Sequence, residues 1–216
     1  MEKALRQTGT LDLNTFGLTA EPQALQQRLR DHLAGSNLLR KHSLEGVASS
    51  VTVTADSVLH LPPDCINSYI AAVLADAIRR ELLAQGSTFT FETVMSSPDK
   101  IDFMHKAQAR GYRTYLYFVA TDDPAINISR VKLRVSQGGH DVPEALIRSR
   151  YTRSIALLDD ACAAAHRAYI FDNSGEAHEL IAEITDGVEL TVHAPALPAW
   201  FTGTTLWQSF QPGADG

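Results

Sequence analysis

At 216 residues, with 44% hydrophobic and 20% charged side chains, the chain has the size and composition of one globular domain. Its net charge of -6 disfavours general binding to nucleic acid or to acidic membranes. Two cysteines supply neither a disulfide framework nor a metal-ligand cluster, so a reducing compartment is expected. The sequence has no apolar run of the roughly 18 residues that cross a bilayer, and no signal-peptide pattern, so a cytoplasmic location is predicted.

The first part of the chain is predicted to contain two helices and one short strand. Residues 1–21 mix Gly, Thr and Asn with scattered apolar residues, so an irregular lead-in is expected. Pro22–Ala34 has three leucines spaced four apart, which is typical of an amphipathic helix. Val51–Thr54 alternates as a β-strand does. A second helix is predicted over Ile66–Ala84, with Gly86 as its C-cap.

The remainder alternates strands and helices. Strands are predicted at Thr88–Phe91, Tyr112–Ala120 and Ala168–Phe171, and helices at Pro98–Arg110, Pro124–Val135 and Pro143–Ala165. Tyr112–Ala120 is apolar and aromatic enough to predict a buried central strand. The segments HELIAEI and VELTV indicate edge strands, and a capping loop follows them. This order predicts an α/β fold, with a doubly wound, mainly parallel sheet and helices on both faces.

Arginine is concentrated in one part of this otherwise acidic chain. Between residues 128 and 153 there are six Lys and Arg side chains against two acidic ones. Arg130 and Arg134 share a helix face, and the turn at Gly138–Gly139 leads to a helix with Arg148 and Arg150. Guanidinium groups suit phosphate oxygens, so the two helices are interpreted as a lid over a polyphosphate. A solvated helix pair explains the spacing equally well.

In a parallel sheet the residues after each strand are candidates for binding, because ligands sit beyond the carboxyl ends of the strands. Glu92 and Thr93 follow a predicted strand and can hold substrate hydroxyls, although Thr93 or Ser96 can instead cap the next helix. Asp56 is a candidate general base, with a turn residue as the alternative. Asp172–Gly175 is interpreted as either a nucleotide contact or a turn.

Four blocks of sequence together resemble the zeta-toxin family of P-loop kinases. They are STFTFETVMSS (Ser87–Ser97), GYRTYLYFVATDDPAINISRVKLRV (Gly111–Val135), GGHDVPEALIRSRY (Gly138–Tyr151) and RAYIFDNSG (Arg167–Gly175). GGHDVP followed by R-x-RY is the most specific of these motifs. The resemblance implies one P-loop kinase-like domain over 1–216, with a divergent N-terminal region (1–50), a recognisable core (51–185) and a C-terminal extension (186–216).

The resemblance also implies an activity, a set of site residues and partners. The expected reaction transfers phosphate from ATP or GTP, with Mg²⁺, to a nucleotide sugar such as UDP-N-acetylglucosamine. The implied roles are catalysis for Asp56, Arg130 and Arg134, phosphate binding for Lys41, Arg148 and Arg150, and substrate contact for Glu92 and Thr93. A small antitoxin protein is the implied macromolecular partner, and neither nucleic acid nor a membrane is expected.

The phosphate loop of this family, G-x-x-x-x-G-K-[ST], is not intact in the sequence. The nearest segment is AGSNLLRKHS, residues 34–43, where Gly35 and Lys41 have the required spacing. Arg40 replaces the second glycine, and His42 stands where the Ser or Thr is required. A phosphate cradle needs small residues so that backbone N–H groups can converge on the anion. Two functions therefore stay open: a kinase, or a catalytically silent relative that binds a nucleotide, a nucleotide sugar or a protein partner.

Overall fold

The computed structural model describes residues 2–211, and the chain divides into two compact units between Phe91 and Glu92. We call the part before this division unit 1 and the part after it unit 2. Neither internal boundary that the sequence predicts, at residue 50 or 185, falls at this division. The assignment of 1–216 to a single domain stays a prediction.

Unit 1 is helical with one small sheet. Its helices are α1 (Glu2–Thr8), α2 (Pro22–Ala34), α3 (Asn37–Lys41) and α4 (Ser68–Gln85), with 3-10 turns at Leu13–Phe16, Glu45–Ser50 and Pro63–Cys65. Strands β1 (Thr10–Asp12), β2 (Thr52–Val53) and β3 (Val58–His60) form an antiparallel sheet of order β1-β3-β2. The prediction of an irregular lead-in is therefore wrong for residues 2–21. Strand β1 pairs with β3, which lies almost fifty residues later in the chain. Met1 lies outside the described residues.

The two longer helices of unit 1 follow from their capping residues and apolar spacing. Pro22 begins α2, and the Glu21 carboxylate accepts hydrogen bonds from the first N–H groups. Asn67 caps α4 in the same way, and Gly86 ends it with a left-handed φ of 82°. The three leucines of α2 are fully buried in the core of unit 1 together with Leu74 of α4. The helix predictions and the C-cap prediction are confirmed.

Unit 2 surrounds a four-stranded sheet of order β4-β5-β6-β7. The strands are β4 (Tyr115–Ala120), β5 (Arg167–Asp172), β6 (Glu179–Thr185) and β7 (Glu189–Val192). The helices are α5 (Asp99–Gln108), α6 (Pro124–Ser136), α7 (Glu144–Ala156), α8 (Leu158–Ala163), α9 (Ala199–Thr202) and α10 (Thr205–Ser209). Strand β4 runs parallel to β5, whereas β5–β6 and β6–β7 are antiparallel. The α/β class agrees with the sequence, but a doubly wound, mainly parallel sheet is not confirmed.

Two strand predictions are wrong. Strand β4 lies at the end of the strand order rather than in the centre, and its side chains alternate between exposed and buried, with Tyr117 62% exposed. Its aromatic residues imitate a fully buried strand because tyrosine tolerates both water and apolar packing. Thr88–Phe91 forms no strand. Phe89 instead packs against the core of unit 1, and the Arg79 guanidinium lies 4.6 Å from the Phe91 ring centroid.

Residues 186–211 are an integral part of unit 2, and residues 212–216 of the predicted C-terminal extension lie outside the described residues. Strand β7 completes the sheet, and α9 and α10 bury Trp200, Phe201 and Leu206 in the core with Cys162. Burial raises the pKa of the Cys162 thiol to about 12, as expected for an unreactive core residue. The aromatic residues near the C-terminus therefore pack onto their own unit. No helix within residues 2–211 is long and apolar enough to span a bilayer.

Asp76 of α4 joins α4 to α2 through a network of charged hydrogen bonds. Its carboxylate lies 3.1 Å from His32 Nε2, 3.0 Å from Arg79 Nη2 and 2.8 Å from Arg80 Nε. Partial burial raises the pKa of Asp76, but the hydrogen bonds from His32, Arg80 and Arg79 outweigh burial and hold the pKa well below its ordinary range. The folded state therefore favours the ionised carboxylate.

We predict that Asp76→Asn lowers the free energy of unfolding at pH 7 by about 1.5–3 kcal/mol, the range for hydrogen bonds to charged groups. Because the folded pKa lies below the unfolded value, the contribution of Asp76 is complete above about pH 4 and is lost as the pH falls further. Urea titrations at pH 7 and pH 3 measure this. The wild type must lose more stability on acidification than the variant does. The matched control is Asp64→Asn, since Asp64 is exposed in the 3-10 turn Pro63–Cys65; equal effects of the two changes would contradict the prediction.

Candidate functional site

The carboxyl ends of β4 and β5 are held side by side by a short chain of hydrogen bonds. The Asn173 N–H donates to the Ala120 carbonyl at 2.7 Å, and the Asp122 N–H donates to Ser174 Oγ at 2.7 Å. The Ser174 hydroxyl in turn donates to Asp172 Oδ1 at 2.8 Å. This is the edge at which parallel strands present ligand-binding loops.

Asp172, the last residue of β5, organises this edge. Besides the Ser174 hydroxyl, its carboxylate accepts hydrogen bonds from the Trp200 indole N–H at 2.8 Å and from the Ser174 N–H at 3.2 Å. Three donors therefore hold the carboxylate in place and connect β5 to α9. These contacts are those of a turn, which was one of the two interpretations of Asp172–Gly175.

Helix α6 begins directly after β4 and carries the first of the predicted arginines. Asp123 caps it by accepting from the Ala125 N–H at 2.7 Å, and Pro124 occupies the first helical position. Arg130 Nη2 donates to the Asn173 carbonyl at 2.8 Å and lies 3.4 Å from the Gly175 carbonyl. Arg130 thus reaches the loop after β5.

The Gly-Gly turn between α6 and α7 is shaped by Arg134. Its Nη2 donates to the His140 carbonyl at 2.9 Å, and the Gly139 N–H donates to the Arg134 carbonyl at 2.9 Å. Gly138 has a left-handed φ of 83°, and a Cβ on Gly139 would lie 2.5 Å from the Arg134 side chain. Both positions therefore require glycine.

Helix α7 is attached to the strand ends and to α6. The Tyr151 hydroxyl donates to the Thr121 carbonyl at 2.9 Å. Lys132 of α6 lies 2.7 Å from the Glu144 carboxylate, and this contact holds the pKa of Glu144 below its ordinary value. We use "arginine hairpin" for α6, the Gly-Gly turn and α7.

The four predicted arginines of the hairpin form no ion pair within the described part of the chain, although the charge of Arg148 contributes to the lowered pKa of Glu144 on the same helix. Arg130 and Arg134 donate to neutral carbonyls, and Arg148 and Arg150 have no hydrogen-bond partner for their guanidinium groups among residues 2–211. Within the same residues, none of the four forms an ion pair with a carboxylate. Uncompensated guanidinium groups at a strand edge can receive an anion.

Glu92 and Thr93 are exposed in the irregular segment that precedes α5. Met95 of this segment packs against the core of unit 2, and the Ser96 carbonyl accepts a hydrogen bond from Arg153 Nε at 3.0 Å. Neither Thr93 nor Ser96 caps α5, whose N-cap is Pro98 without a side-chain hydrogen bond. The capping alternative is therefore wrong, and the substrate role of Glu92 and Thr93 stays a prediction.

Asp56 and Lys41 belong to unit 1, whereas the arginines belong to unit 2. Asp56 is exposed in the turn between β2 and β3, where its backbone carbonyl accepts from Asn14 Nδ2 at 2.8 Å. Its position is that of the turn residue considered as an alternative. The proposed role as a general base stays a prediction, as does the phosphate-binding role of Lys41.

Residues 34–43 run from the end of α2 through a short turn into α3, and they do not form a loop after a strand. Lys41 is the last residue of the five-residue helix α3, and Gly35 is the C-cap of α2. The N–H groups of residues 35, 36, 39, 40, 42 and 43 all donate within the segment or to α2. N–H groups that are already engaged cannot converge on a phosphate, so these residues do not fit a triphosphate with its Mg²⁺.

Metal-binding side chains are likewise not grouped. Across residues 2–211, no cluster of three or more His, Cys, Asp or Glu side chains is arranged to hold a metal ion.

An arginine hairpin at the carboxyl ends of parallel strands defines a kinase-like α/β scaffold. In agreement with this, the family described as zeta toxin matches residues 44–182, more than half of the chain, so the chain belongs to the zeta toxin family. The match begins after residues 34–43. The chain is also 32% identical, over 63 residues, to an uncharacterized protein of Haemophilus influenzae; these cover 29% of this chain and 45% of that protein. The chain thus spans less than half of this relative's length. No solved structure matches the chain.

We predict that Tyr151→Phe weakens the attachment of α7 and lowers the free energy of unfolding by about 1 kcal/mol, the usual net value of one hydrogen bond. Burial, followed by the charges of Asp122, Asp123 and Asp172, raises the pKa of Tyr151. Its contribution to stability is therefore complete below pH 10 and is lost as the pH rises through the folded pKa. Urea titrations between pH 8 and pH 11 measure this. The variant should lose less stability than the wild type above pH 10, and parallel curves would contradict the prediction.

Proposed function

We propose that this chain is a zeta-toxin-type scaffold that binds a nucleotide or a nucleotide sugar, such as UDP-N-acetylglucosamine, at the arginine hairpin without transferring phosphate. One observation carries the proposal: four arginines that form no ion pair among residues 2–211 lie on two helices beside the carboxyl ends of β4 and β5. The chain as a whole has a net charge of -6, so this positive region is local.

The roles of individual side chains follow from their contacts. The guanidinium groups of Arg148 and Arg150 can turn towards a diphosphate without breaking an internal hydrogen bond among the described residues. Arg130 and Arg134 maintain the shape of the hairpin through carbonyl contacts and add positive charge. The exposed Glu92 carboxylate and Thr93 hydroxyl supply the acceptors and the donor that sugar hydroxyls require.

The proposal that the scaffold does not transfer phosphate rests on residues 34–43. Phosphoryl transfer requires a cradle of backbone N–H groups, a lysine and a metal-binding hydroxyl around the triphosphate. Here the N–H groups are used by helices and turns, and His42 occupies the hydroxyl position. Lys41 alone does not replace that arrangement.

A second candidate is an active phosphotransferase that uses ATP or GTP with Mg²⁺, and membership of the zeta toxin family favours it. In that case Asp56 would accept the proton of the attacking hydroxyl, and Arg130 and Arg134 would stabilise the charge of the transferring group. Because zeta toxins belong to toxin–antitoxin systems, a small antitoxin protein is the corresponding partner.

We predict that isothermal titration calorimetry detects binding of UDP-N-acetylglucosamine to the wild-type protein. The double variant Arg148→Ala/Arg150→Ala should bind at least tenfold more weakly, because each charge-assisted hydrogen bond to phosphate contributes about 1.5–3 kcal/mol. The control Arg110→Ala, which removes an exposed arginine just after α5, should leave the affinity unchanged. If the wild type does not bind the ligand, or if the double variant binds it equally well, the proposal is wrong.

We further predict that neither ATP–Mg²⁺ nor GTP–Mg²⁺ supports phosphorylation of the bound nucleotide sugar, because residues 34–43 do not form a phosphate cradle. Mass spectrometry of the nucleotide sugar after incubation measures this directly. Turnover that disappears in both Lys41→Ala and Asp56→Asn would establish the second candidate instead.

A further inference from the structure

Arg153 lies outside the set of arginines that the sequence assigns to phosphate binding, yet it makes specific contacts. Its Nε donates to the Ser96 carbonyl at 3.0 Å, and its Nη1 donates to Ser149 Oγ at 2.5 Å. Ser149 is one turn earlier on α7, so it orients the guanidinium plane. The result is a direct hydrogen bond from the arginine hairpin to the segment that contains Glu92 and Thr93.

The segment 92–97 has few other contacts that define its path. It contains no helix or strand. Its internal backbone hydrogen bond joins the Ser96 N–H to the Val94 carbonyl at 2.8 Å, and its last residue, Ser97, accepts a longer bond of 3.4 Å from the Lys100 N–H of α5. Met95 packs against the core of unit 2 from the same segment. An irregular segment with two anchors, one apolar and one polar, depends strongly on each of them.

Helix α7 also carries Arg148 and Arg150, one turn before Arg153. Because an α-helix rises roughly 1.5 Å per residue, the Cα atoms of these three arginines keep a constant separation along α7. Tyr151 attaches the same turn of α7 to the Thr121 carbonyl. The position of Ser96, and through it that of Glu92 and Thr93, is therefore set relative to Arg148 and Arg150.

We infer that Arg153 is a positioning residue, which holds the Glu92–Ser97 segment at a set distance from the phosphate-binding arginines. This inference rests on the proposed function and deepens it. A nucleotide sugar has a diphosphate at one end and sugar hydroxyls at the other. It must therefore contact the phosphate-binding arginines and the Glu92–Ser97 segment at the same time. Arg153 would thus contribute to the choice of a nucleotide sugar over the nucleotide alone.

The first experiment needs no ligand. Amide hydrogen exchange of the peptide that covers residues 92–97 is compared in the wild type, Arg153→Ala, Arg153→Lys and the matched control Arg110→Ala. The informative amide is that of Ser96, whose N–H donates to the Val94 carbonyl. We expect this amide to exchange at least tenfold faster in Arg153→Ala, at an intermediate rate in Arg153→Lys, which keeps one donor, and at the wild-type rate in the control. Peptides from β5 and β6 should exchange normally in all four proteins, which shows that unit 2 is folded. Unchanged exchange of residues 92–97 in Arg153→Ala would overturn the inference.

The second experiment separates positioning from phosphate contact. Calorimetry with UDP and with UDP-N-acetylglucosamine should show about a tenfold loss for the nucleotide sugar in Arg153→Ala, and less than a threefold loss for UDP. Equal losses for both ligands would mean that Arg153 contacts phosphate or only supports the fold, and would overturn the positioning role. If the wild type binds neither ligand, the proposed function fails, and the exchange experiment still decides whether Arg153 holds the segment.

Discussion

The parallel pairing of β4 with β5 is the constraint on which unit 2 depends. The two strands are in register from Tyr115 opposite Arg167 to Ala120 opposite Asp172, so both end at the same edge of the sheet. Their inward side chains, such as Phe118 and Ile170, are buried in the core of unit 2. Because the strands end together, one serine hydroxyl can join the loops that follow them.

The arginine hairpin takes its position from this edge. Arg130 reaches the loop after β5, and Tyr151 reaches the residue after β4, so α6 and α7 each have a contact with a strand end. The turn between these helices requires two glycines. Gly138 has a left-handed φ, and Gly139 lies too close to Arg134 to carry a side chain. Small changes at the strand ends would therefore move the whole hairpin.

The arginines of the chain fall into two electrostatic groups. In unit 1, Arg28 pairs with Glu81 at 2.7 Å, and Arg79 and Arg80 pair with Asp76. These charges are compensated, and the Arg28–Glu81 pair also connects α2 to α4. The hairpin arginines donate to neutral carbonyls or have no guanidinium partner within the described part of the chain. Arginines of one chain can thus have different roles, because the distance to a carboxylate decides whether the positive charge is available to a ligand.

Local patterns in the sequence were sufficient for the longer helices of unit 1 and for the family. Capping residues and leucine spacing determined α2 and α4, and the GGHDVP block together with its neighbours indicated the zeta toxin family, which the match to residues 44–182 confirms. These features depend on residues within a few turns of one another, so they can be recognised without knowledge of the fold.

The tertiary structure alone decided the strand partners and the state of the charged groups. Residues 10–12 became a strand because β3 pairs with them, whereas Thr88–Phe91, with a stronger strand pattern, has no such pairing. Gly35 and Lys41 have the spacing of a phosphate loop, yet the path of residues 34–43 commits their N–H groups to helices. The sequence does not distinguish Arg153 from the other arginines of the hairpin, whereas its hydrogen bond to the Ser96 carbonyl does. For β1 and for Arg153 a hydrogen-bond partner distant in the sequence determines the outcome, and single-residue patterns contain no information about such partners.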